Sequence, residues 1–336
     1  MTAAVAAAGA RSPAAVTGSG PTAGTPAPAR ALPHASIGAV PILWNNADLP
    51  DLAPLVPAEE VLDEIARLGF QGTQTGVGFP EGPVLAELLA QRRLRLAEVY
   101  AALPCTPDGP TDAALGEGRA RLAQLHRAGG EVLIVALAFA PERHAVAGRA
   151  TAPGTPGLTD AGWRALSGLL EALAREARSL GHPLAFHVHA GTYVETAAEL
   201  DRLAAQTDPS LVGLCLDVGH YTLGGGDPVE AIQRYGERIV HVHLKDVDRE
   251  VLERIRDDRI VGFLEALRAR IFTELGAGVL DLPAIVDALA ERDYAGWLMI
   301  EQDTTWRSPS ESAAIGRAVL EHELRLAAGR PAGADG

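Results

Sequence analysis

The chain has 336 residues, 47% of them hydrophobic, and a formal net charge of −14 from 43 acidic and 29 basic residues. This length is ample for one large core, and no apolar stretch approaches the roughly 18–20 residues that a membrane span needs. A surface rich in carboxylates repels nucleic-acid phosphates and anionic lipids, so we expect neither nucleic acid nor a membrane as a partner.

The two ends of the chain differ in composition from its middle. Residues 1–34 are dominated by alanine, proline, glycine, serine and threonine, and residues 329–336 are similar. Such segments lack the large apolar side chains that offset the entropy of ordering, so we predict disordered tails around one domain at 35–328. The first tail has neither the basic start nor the compact apolar run of a signal peptide. Since Cys105 and Cys215 give no disulfide framework, we expect a cytoplasmic protein.

Between the tails, short apolar runs alternate with longer segments of helical periodicity. Eight runs are predicted strands: 37–43, 72–75, 94–100, 132–138, 184–188, 212–216, 239–244 and 297–300. The clearest helical segments are 58–68, 113–129, 160–180, 194–205, 282–292 and 309–327. Strands that alternate with helices indicate a parallel sheet. Eight such units without a domain-sized break, and no GxGxxG after the first strand, predict an α/β fold: a closed (β/α)₈ TIM barrel rather than an open doubly wound sheet.

The connection between the seventh and eighth strands is longer than the others. It contains a helical stretch, VLERIRDDRIVGFLEALRARIF, between Lys245 and Asp281. An insertion that follows a barrel strand lies on the catalytic rim. We therefore expect either a lid over the site or a contact between the subunits of a homo-oligomer in this part of the chain.

Polar side chains end the last four predicted strands, where a TIM barrel builds its active site. The histidines and carboxylates at these positions are His187, His189, Asp217, His220, His241, His243, Asp246, Glu301 and Asp303, with Lys245 among them. A mixed set of imidazole and carboxylate groups suits Mn²⁺, Co²⁺, Zn²⁺ or Fe²⁺ better than Ca²⁺, which prefers oxygen ligands alone. The sequence therefore predicts a site for a divalent metal, with Mn²⁺ or Co²⁺ first and Zn²⁺ or Fe²⁺ next.

Simpler interpretations exist for some of these residues. A single histidine at a strand end is often a hydrogen-bonded structural residue, and His241 and His243 point to the same side although only one needs to bind a metal. Lys245 and Asp246 could form an ion pair at the rim, worth about 0–1 kcal/mol. Asp217 and Glu301 follow apolar runs, where an unpaired carboxylate is costly, which favours a functional role for both.

Three motifs at these strand ends occur together: Asp-x-x-His after the sixth run, His-x-His in the seventh and Glu after the eighth. Together they resemble the xylose isomerase-like TIM-barrel superfamily of sugar isomerases and epimerases. The resemblance also implies substrate contacts from His220 and from Arg249, six residues after His243. It implies a metal held by four side chains, with a histidine where many members have a glutamate after strand 5: His187, Asp217, His243 and Glu301.

Longer blocks are similar to the inosose (2-keto-myo-inositol) dehydratases within that superfamily. They span nearly the whole barrel and are PILWNNADLPDL, GFQGTQTGVGFP, FHVHAGT, FLEALRARIFTELGAGVLDLPAI and YAGWLMIEQD. Two positions depart from the pattern of that family. Gln74 stands where a glutamate is usual, and Leu137 stands where an acidic residue is expected, so the charge and hydrogen bonding of the pocket differ.

The resemblance implies a metal-dependent dehydratase of a small polyhydroxylated carbonyl compound, such as a keto-cyclitol. The metal would polarise the carbonyl group, a base would remove the α-carbon proton to give an enediolate, and a β-hydroxyl would then leave. The candidate acid and base groups are His189, His220 and Glu301, with Lys245 as an alternative acid. The candidate substrate-binding residues after the first two strands are Asn45, Asn46, Asp48 and Gln74.

Three alternatives use the same barrel. A metal-dependent sugar or cyclitol isomerase or epimerase would share the proton abstraction but return the proton to a carbon atom. A nuclease resembling endonuclease IV is disfavoured because the chain is acidic and has no basic groove pattern. A non-catalytic sugar-binding barrel is disfavoured because Asp217, His243 and Glu301 are all present.

Overall fold

A computed structural model of the chain describes residues 32–323. The eight predicted runs form eight strands, all parallel to their neighbours, and the last pairs with the first so that the sheet closes into a barrel. The predicted TIM barrel is confirmed. In chain order the strands are β1 (Ser36–Ala39), β2 (Gly72–Gln74), β3 (Arg95–Leu103), β4 (Val132–Leu137), β5 (Leu184–His187), β6 (Val212–Asp217), β7 (Ile239–Leu244) and β8 (Trp297–Ile300).

Helices follow the strands and bury one face each. In the longest of them, Leu166, Leu170 and Leu173 recur at helical spacing and are all buried. None of the described helices is long and apolar enough to cross a membrane. The helices are α1 (Ala58–Arg67), α2 (Gly82–Gln91), α3 (Asp112–Arg127), α4 (Pro141–His144), α5 (Asp160–Ser179), α6 (Ala197–Gln206), α7 (Val218–Leu223), α8 (Pro228–Tyr235), α9 (Arg249–Arg256), α10 (Phe263–Arg268), α11 (Leu282–Ala290) and α12 (Pro309–Ala318).

Two boundaries differ from those expected from the sequence. β1 is shorter than predicted because Pro41 has no N–H group to continue the ladder, and Pro41–Leu43 forms a 3₁₀ turn instead. Leu32 is buried in the barrel core, although the composition of residues 1–34 placed it in the first predicted tail. The rest of that predicted tail and the predicted tail at 329–336 lie outside the described residues.

Residues 248–280, called the cover below, form the long connection after β7. They contain α9, α10 and the short strand Phe272–Thr273, which pairs antiparallel with Asp246–Val247. The predicted helical insertion is therefore a packed layer on the barrel end that carries the site. Most of its buried apolar side chains belong to a cluster separate from the main core, whereas Leu275 packs in the main core. The members of the separate cluster are Val251, Leu252, Ile255, Ile260, Phe263, Ala266, Leu267, Ile271 and Phe272.

Asp246 binds the backbone at the C-terminal end of the cover through hydrogen bonds. Its Oδ2 accepts hydrogen bonds from the backbone N–H groups of Gly276 at 2.9 Å and Gly278 at 3.0 Å, and its Oδ1 accepts one from Leu280 at 3.2 Å. A Cβ atom at Gly278 would lie 2.1 Å from Asp246 Oδ1, so only glycine fits there. Lys245 does not pair with Asp246, which makes the rim ion pair considered from the sequence wrong.

We expect Asp246→Asn to loosen the cover while the barrel stays folded. The amide keeps one acceptor oxygen but turns a donor towards backbone N–H groups, which weakens the local structure by about 1–3 kcal/mol. Trypsin should then cut faster at the arginines of α9, with an unchanged far-ultraviolet circular dichroism spectrum. Glu250→Gln, an exposed change in the same segment, is the control, and equal cleavage rates in the two variants would contradict the role of Asp246.

Candidate active site

Four of the predicted site residues meet at the carboxyl ends of neighbouring strands. His187 ends β5, Asp217 ends β6, His243 lies near the end of β7 and Glu301 directly follows β8. One nitrogen or oxygen atom from each lies within 4.8 Å of the corresponding atom of every other. We call these four residues the His–carboxylate cluster. The structure therefore brings together all four residues that the sequence assigned to a metal.

Local structure fixes the carboxylate of Asp217. The residue is the N-cap of α7, and its Oδ1 accepts a hydrogen bond from the backbone N–H of His220 at 2.7 Å. In the sheet, Asp217 stands beside His243 on the neighbouring strand. With Oδ1 held by the helix, Oδ2 is left to face the two histidines of the cluster, 3.5 Å from His187 Nε2 and 3.7 Å from His243 Nδ1.

The donor atoms of the His–carboxylate cluster fit a divalent cation. Oδ2 of Asp217, Nδ1 of His243 and Oε2 of Glu301 are buried and form no contact of hydrogen-bond geometry among the described residues, although Nδ1 of His243 lies 2.6 Å from Oε2 of Glu301. His187 faces them with Nε2, 3.5 Å from Asp217 Oδ2. Buried polar atoms in native proteins are nearly always satisfied, so three such atoms in one place need an explanation. Two imidazole nitrogens and two carboxylate oxygens suit Mn²⁺, Co²⁺, Zn²⁺ or Fe²⁺.

Lys245 is a buried cation beside this cluster. Its Nζ lies 2.9 Å from Glu301 Oε1, 3.0 Å from Asp303 Oδ2, 3.6 Å from Asp217 Oδ2 and 3.1 Å from His220 Nε2. Burial disfavours the ammonium form, but the three carboxylates outweigh it and hold the pKa of Lys245 well above its ordinary value. The side chain is therefore charged, and it neutralises part of the negative charge of the site.

Glu301 and Asp303 both contact Lys245, but their pKa values are shifted from the ordinary values in opposite directions. Burial opposes ionisation of Glu301, but Lys245 and His243 overcome it and hold the pKa of Glu301 well below its ordinary value. For Asp303 burial dominates over the attraction of Lys245 and raises the pKa to about 7. Glu301 is thus ionised, and Asp303 can carry a proton near neutral pH. The sequence analysis placed Asp303 among the strand-end carboxylates but gave it no catalytic or metal-binding role.

His189 and His220 lie side by side under the cover. Their ring centroids are 3.8 Å apart, and the His220 ring lies 5.6 Å from Phe263 and 4.9 Å from Phe272. Burial, followed by the neighbouring positive charges, lowers the pKa of His189 to about 3 and that of His220 well below its ordinary value. Both rings are therefore neutral, and they can hydrogen-bond a hydroxyl group without adding charge.

A cavity of about 290 Å³ opens onto the His–carboxylate cluster. Asp48 and Gln74, two of the predicted substrate-binding residues, lie in its wall. Its polar lining consists of Asp48, Gln74, Tyr100, His187, His189, His243, Glu301 and Asp303. Its apolar lining consists of Ile42, Ala47, Ala102, Leu137, Ala138 and Phe139.

Three other predicted substrate-binding residues do not line this cavity. The side-chain amide of Asn45 donates to Val56 O and Val77 O, and that of Asn46 accepts from two backbone N–H groups and donates to Asp303 O. These amides are occupied in shaping the loop after β1, as asparagine often is in turns. Arg249 is exposed on the first turn of α9.

Glu98 is a buried site residue that the sequence analysis missed. It lies in β3, is fully buried, and its Oε2 is 2.9 Å from His241 Nε2 and 3.0 Å from His243 Nε2. Burial opposes its ionisation, but the two imidazoles overcome this and lower the pKa of Glu98 to about 2. The available signal was a carboxylate inside the apolar run LAEVYAAL, the same argument that singled out Asp217.

Comparison with known proteins gives the family of the chain. A family model described as xylose isomerase-like TIM barrel matches residues 62–322. The inosose dehydratase of Lacticaseibacillus casei is 35% identical over 298 residues, which cover 86% of this chain and 97% of that protein. The inosose dehydratase of Geobacillus kaustophilus is 38% identical over 269 residues, covering 80% and 87%. The chain belongs to the inosose dehydratase family of xylose isomerase-like TIM barrels.

More distant solved structures share the fold of this inosose dehydratase family member. An L-ribulose 3-epimerase has a TM-score of 0.64 at 20% identity, with 87% of this chain and 95% of that chain covered. The IolI protein with a bound zinc atom has a TM-score of 0.63 at 15% identity, with 86% and 98% covered. The family resemblance stated from the sequence motifs is confirmed.

Both positions at which the sequence departs from the inosose dehydratase pattern lie in the cavity wall. Gln74 and Leu137 line the cavity beside the His–carboxylate cluster. The differences therefore fall where a substrate would be contacted, whereas the cluster itself is complete. They alter the hydrogen bonding of the cavity wall and leave the nitrogen and oxygen atoms of the cluster in place.

Proposed function

We propose that this chain is a divalent-metal-dependent dehydratase of a keto-cyclitol related to inosose. The observation that carries the proposal is the set of buried nitrogen and oxygen atoms in the His–carboxylate cluster, three of them without a hydrogen bond among the described residues, which opens onto a cavity large enough for a small molecule. The sequence identity to inosose dehydratases over most of the chain supports the substrate class. Mn²⁺ or Co²⁺ is the proposed cation, with Zn²⁺ or Fe²⁺ as the alternatives.

The His–carboxylate cluster would hold the cation, which when bound supplies a Lewis acid that polarises the substrate carbonyl. Different residues around the cation would accept the α-carbon proton and protonate the leaving hydroxyl. The α-carbon proton goes to a base, for which Glu301, His189 and His220 are the candidates, and the electron pair of that C–H bond becomes the new double bond. The β-carbon–oxygen bond breaks, and the hydroxyl leaves as water with a proton from Lys245.

Asp303 extends this proton path. Its Oδ2 lies 3.0 Å from Lys245 Nζ, and its pKa is raised to about 7, mainly by burial. It can therefore return a proton to Lys245 after the hydroxyl has left. Asp48 and Gln74, in the cavity wall, are proposed to bind substrate hydroxyl groups.

The apolar end of β4 favours a second candidate function. Leu137, Ala138 and Phe139 line the cavity where an acidic group would serve a leaving hydroxyl. The acidic groups in the cavity wall are Asp48 and Asp303, whose pKa values burial raises, and Lys245 with its partner Asp303 is the proposed acid for dehydration. If Lys245 keeps its proton, the same site exchanges the α-proton and acts as an isomerase or epimerase.

The test is metal content by mass spectrometry together with turnover of 2-keto-myo-inositol in the presence of Mn²⁺ or Co²⁺. We expect about one bound cation per chain and a conjugated product that absorbs in the ultraviolet. Deuterium exchange in D₂O without that product would favour the isomerase or epimerase. A folded protein that binds no divalent cation would overturn both.

A further inference from the structure

Glu98, in the barrel interior, contacts two histidines on the opposite side of the barrel. Glu98 lies on β3 and His241 and His243 lie on β7, and these strands stand on opposite sides of the closed barrel. Oε2 of Glu98 contacts Nε2 of both rings, at 2.9 Å and 3.0 Å. All three side chains are buried, so water cannot replace these contacts.

The two ring nitrogens of His243 have different surroundings. Nδ1 lies 2.6 Å from Glu301 Oε2 and faces the cluster, whereas Nε2 lies against Glu98. A neutral imidazole carries one N–H group, and an ionised carboxylate can only accept a hydrogen bond. Ionised carboxylates face both nitrogens, so without a cation each nitrogen can hold a proton. A cation in the cluster would take the lone pair of Nδ1, and the one N–H group left on the ring would then be on Nε2, where Glu98 accepts its hydrogen bond.

We propose that Glu98 is a positioning residue that fixes the tautomer and orientation of the metal ligand His243. This inference rests on the proposed metal-dependent function, because it concerns the affinity of that metal. His241 is part of the arrangement, since its Nε2 contacts the same oxygen of Glu98 and keeps the carboxylate from turning away. A carboxylate behind a ligating histidine raises the basicity of that ligand, and its loss typically weakens metal binding about 10–100-fold.

A different interpretation makes Glu98 a ligand. Glu98, His241 and His243 are close enough to one another to hold a cation of their own. Of the two contacts to this one oxygen atom, that of His243 Nε2 is a hydrogen bond, so its proton accounts for the 3.0 Å distance, whereas His241 Nε2 lies 2.9 Å away without hydrogen-bond geometry. The number of cations bound per chain separates the two interpretations.

The experiment measures Co²⁺ binding to the full chain by titration calorimetry and by its visible absorption spectrum. Three variants are compared with the unmodified chain: Glu98→Ala, Glu98→Gln and Glu131→Gln. Glu131 is the matched control, because its carboxylate contacts Arg95 and the Trp297 indole N–H, away from the cluster. We expect Glu98→Ala to bind Co²⁺ about 10–100-fold more weakly and with an altered spectrum.

The glutamine variant is expected to lie between the unmodified chain and Glu98→Ala. Its amide oxygen still accepts from His243 Nε2, so tautomer control is weakened rather than removed. If Glu98→Ala does not fold, the comparison of Glu98→Gln with Glu131→Gln tests the positioning role of Glu98. Affinity and spectrum equal to those of Glu131→Gln would overturn the positioning role.

Two further outcomes distinguish failure of this inference from failure of the proposed function. Two Co²⁺ ions per unmodified chain, falling to one in a Glu98 variant, would make Glu98 a ligand and overturn the positioning role alone. No Co²⁺ binding by the unmodified, folded chain would overturn the metal-dependent function itself, and the role of Glu98 with it.

Discussion

Asp217→Asn is expected to abolish both metal retention and turnover in a chain that still folds. The asparagine Oδ1 can accept the hydrogen bond from His220 that caps α7, so the local structure is kept. The second oxygen becomes an NH₂ group, which carries protons and cannot bind a cation. Loss of the metal removes several kcal/mol of transition-state stabilisation, so kcat/KM should fall by roughly 10³-fold or more.

The measurement is bound metal per chain and kcat/KM for 2-keto-myo-inositol, with thermal unfolding to confirm that the variant folds. Asp63→Asn is the matched control, because Asp63 is an exposed aspartate that pairs with Arg92 on the outside of the barrel. Full activity or an unchanged metal content in Asp217→Asn would mean that the His–carboxylate cluster is structural.

Lys245→Met is expected to cause the largest loss of stability in the metal-free protein. Methionine approximates the length of the lysine stem but removes the only ammonium group that contacts Asp217, Glu301 and Asp303 among the described residues. Breaking a buried ion pair leaves uncompensated charge and costs about 3–5 kcal/mol. Dehydration should also slow about 10²–10⁴-fold, the usual contribution of a general acid.

Urea unfolding with and without Mn²⁺ measures this effect. Added Mn²⁺ should stabilise Lys245→Met more than the unmodified chain, since the cation replaces the missing positive charge. Because the pKa of Lys245 is raised, its stabilisation is fully present below the ordinary lysine pKa and is lost only as the pH rises through the higher folded value. The unfolding measurements can therefore be made at neutral pH, where the stabilisation by Lys245 is fully present.

The control for Lys245→Met is Arg119→Met, which removes an exposed ion pair with Glu176. Exposed pairs contribute about 0–1 kcal/mol, so that variant should unfold almost like the unmodified chain. A metal-free Lys245→Met protein as stable as Arg119→Met would show that the three carboxylates do not need the ammonium group.

The barrel and the grouping of the His–carboxylate cluster could be predicted from the sequence because each depends on a local pattern. Apolar runs separated by helical segments give the eight strands, and the strand ends of a barrel meet at one place. A carboxylate such as Asp217 directly after an apolar run is then visible as a site residue. The structure brings it together with His187, His243 and Glu301, as the sequence predicted.

The remaining site residues depend on contacts that sequence spacing does not determine. Asn45 and Asn46 follow β1 as expected, but the loop uses their amides for its own backbone. Arg249 lies at the expected distance from His243 along the chain, yet the first turn of α9 leaves it exposed. Glu98 is close to β7 only because the barrel closes, which brings strands distant in sequence face to face.

Because Glu98 contacts both histidines of β7, the effect of a substitution at any of these three positions depends on the residues at the other two. A barrel interior is normally filled by apolar side chains that can be exchanged one at a time. Here, replacing Glu98 alone removes the hydrogen-bond acceptor of His243 and the charged neighbour of His241, and replacing either histidine alone removes a contact from a buried carboxylate. Substitutions at these positions are therefore non-additive, and relatives that lack the glutamate on β3 should also differ in how they support the histidine on β7.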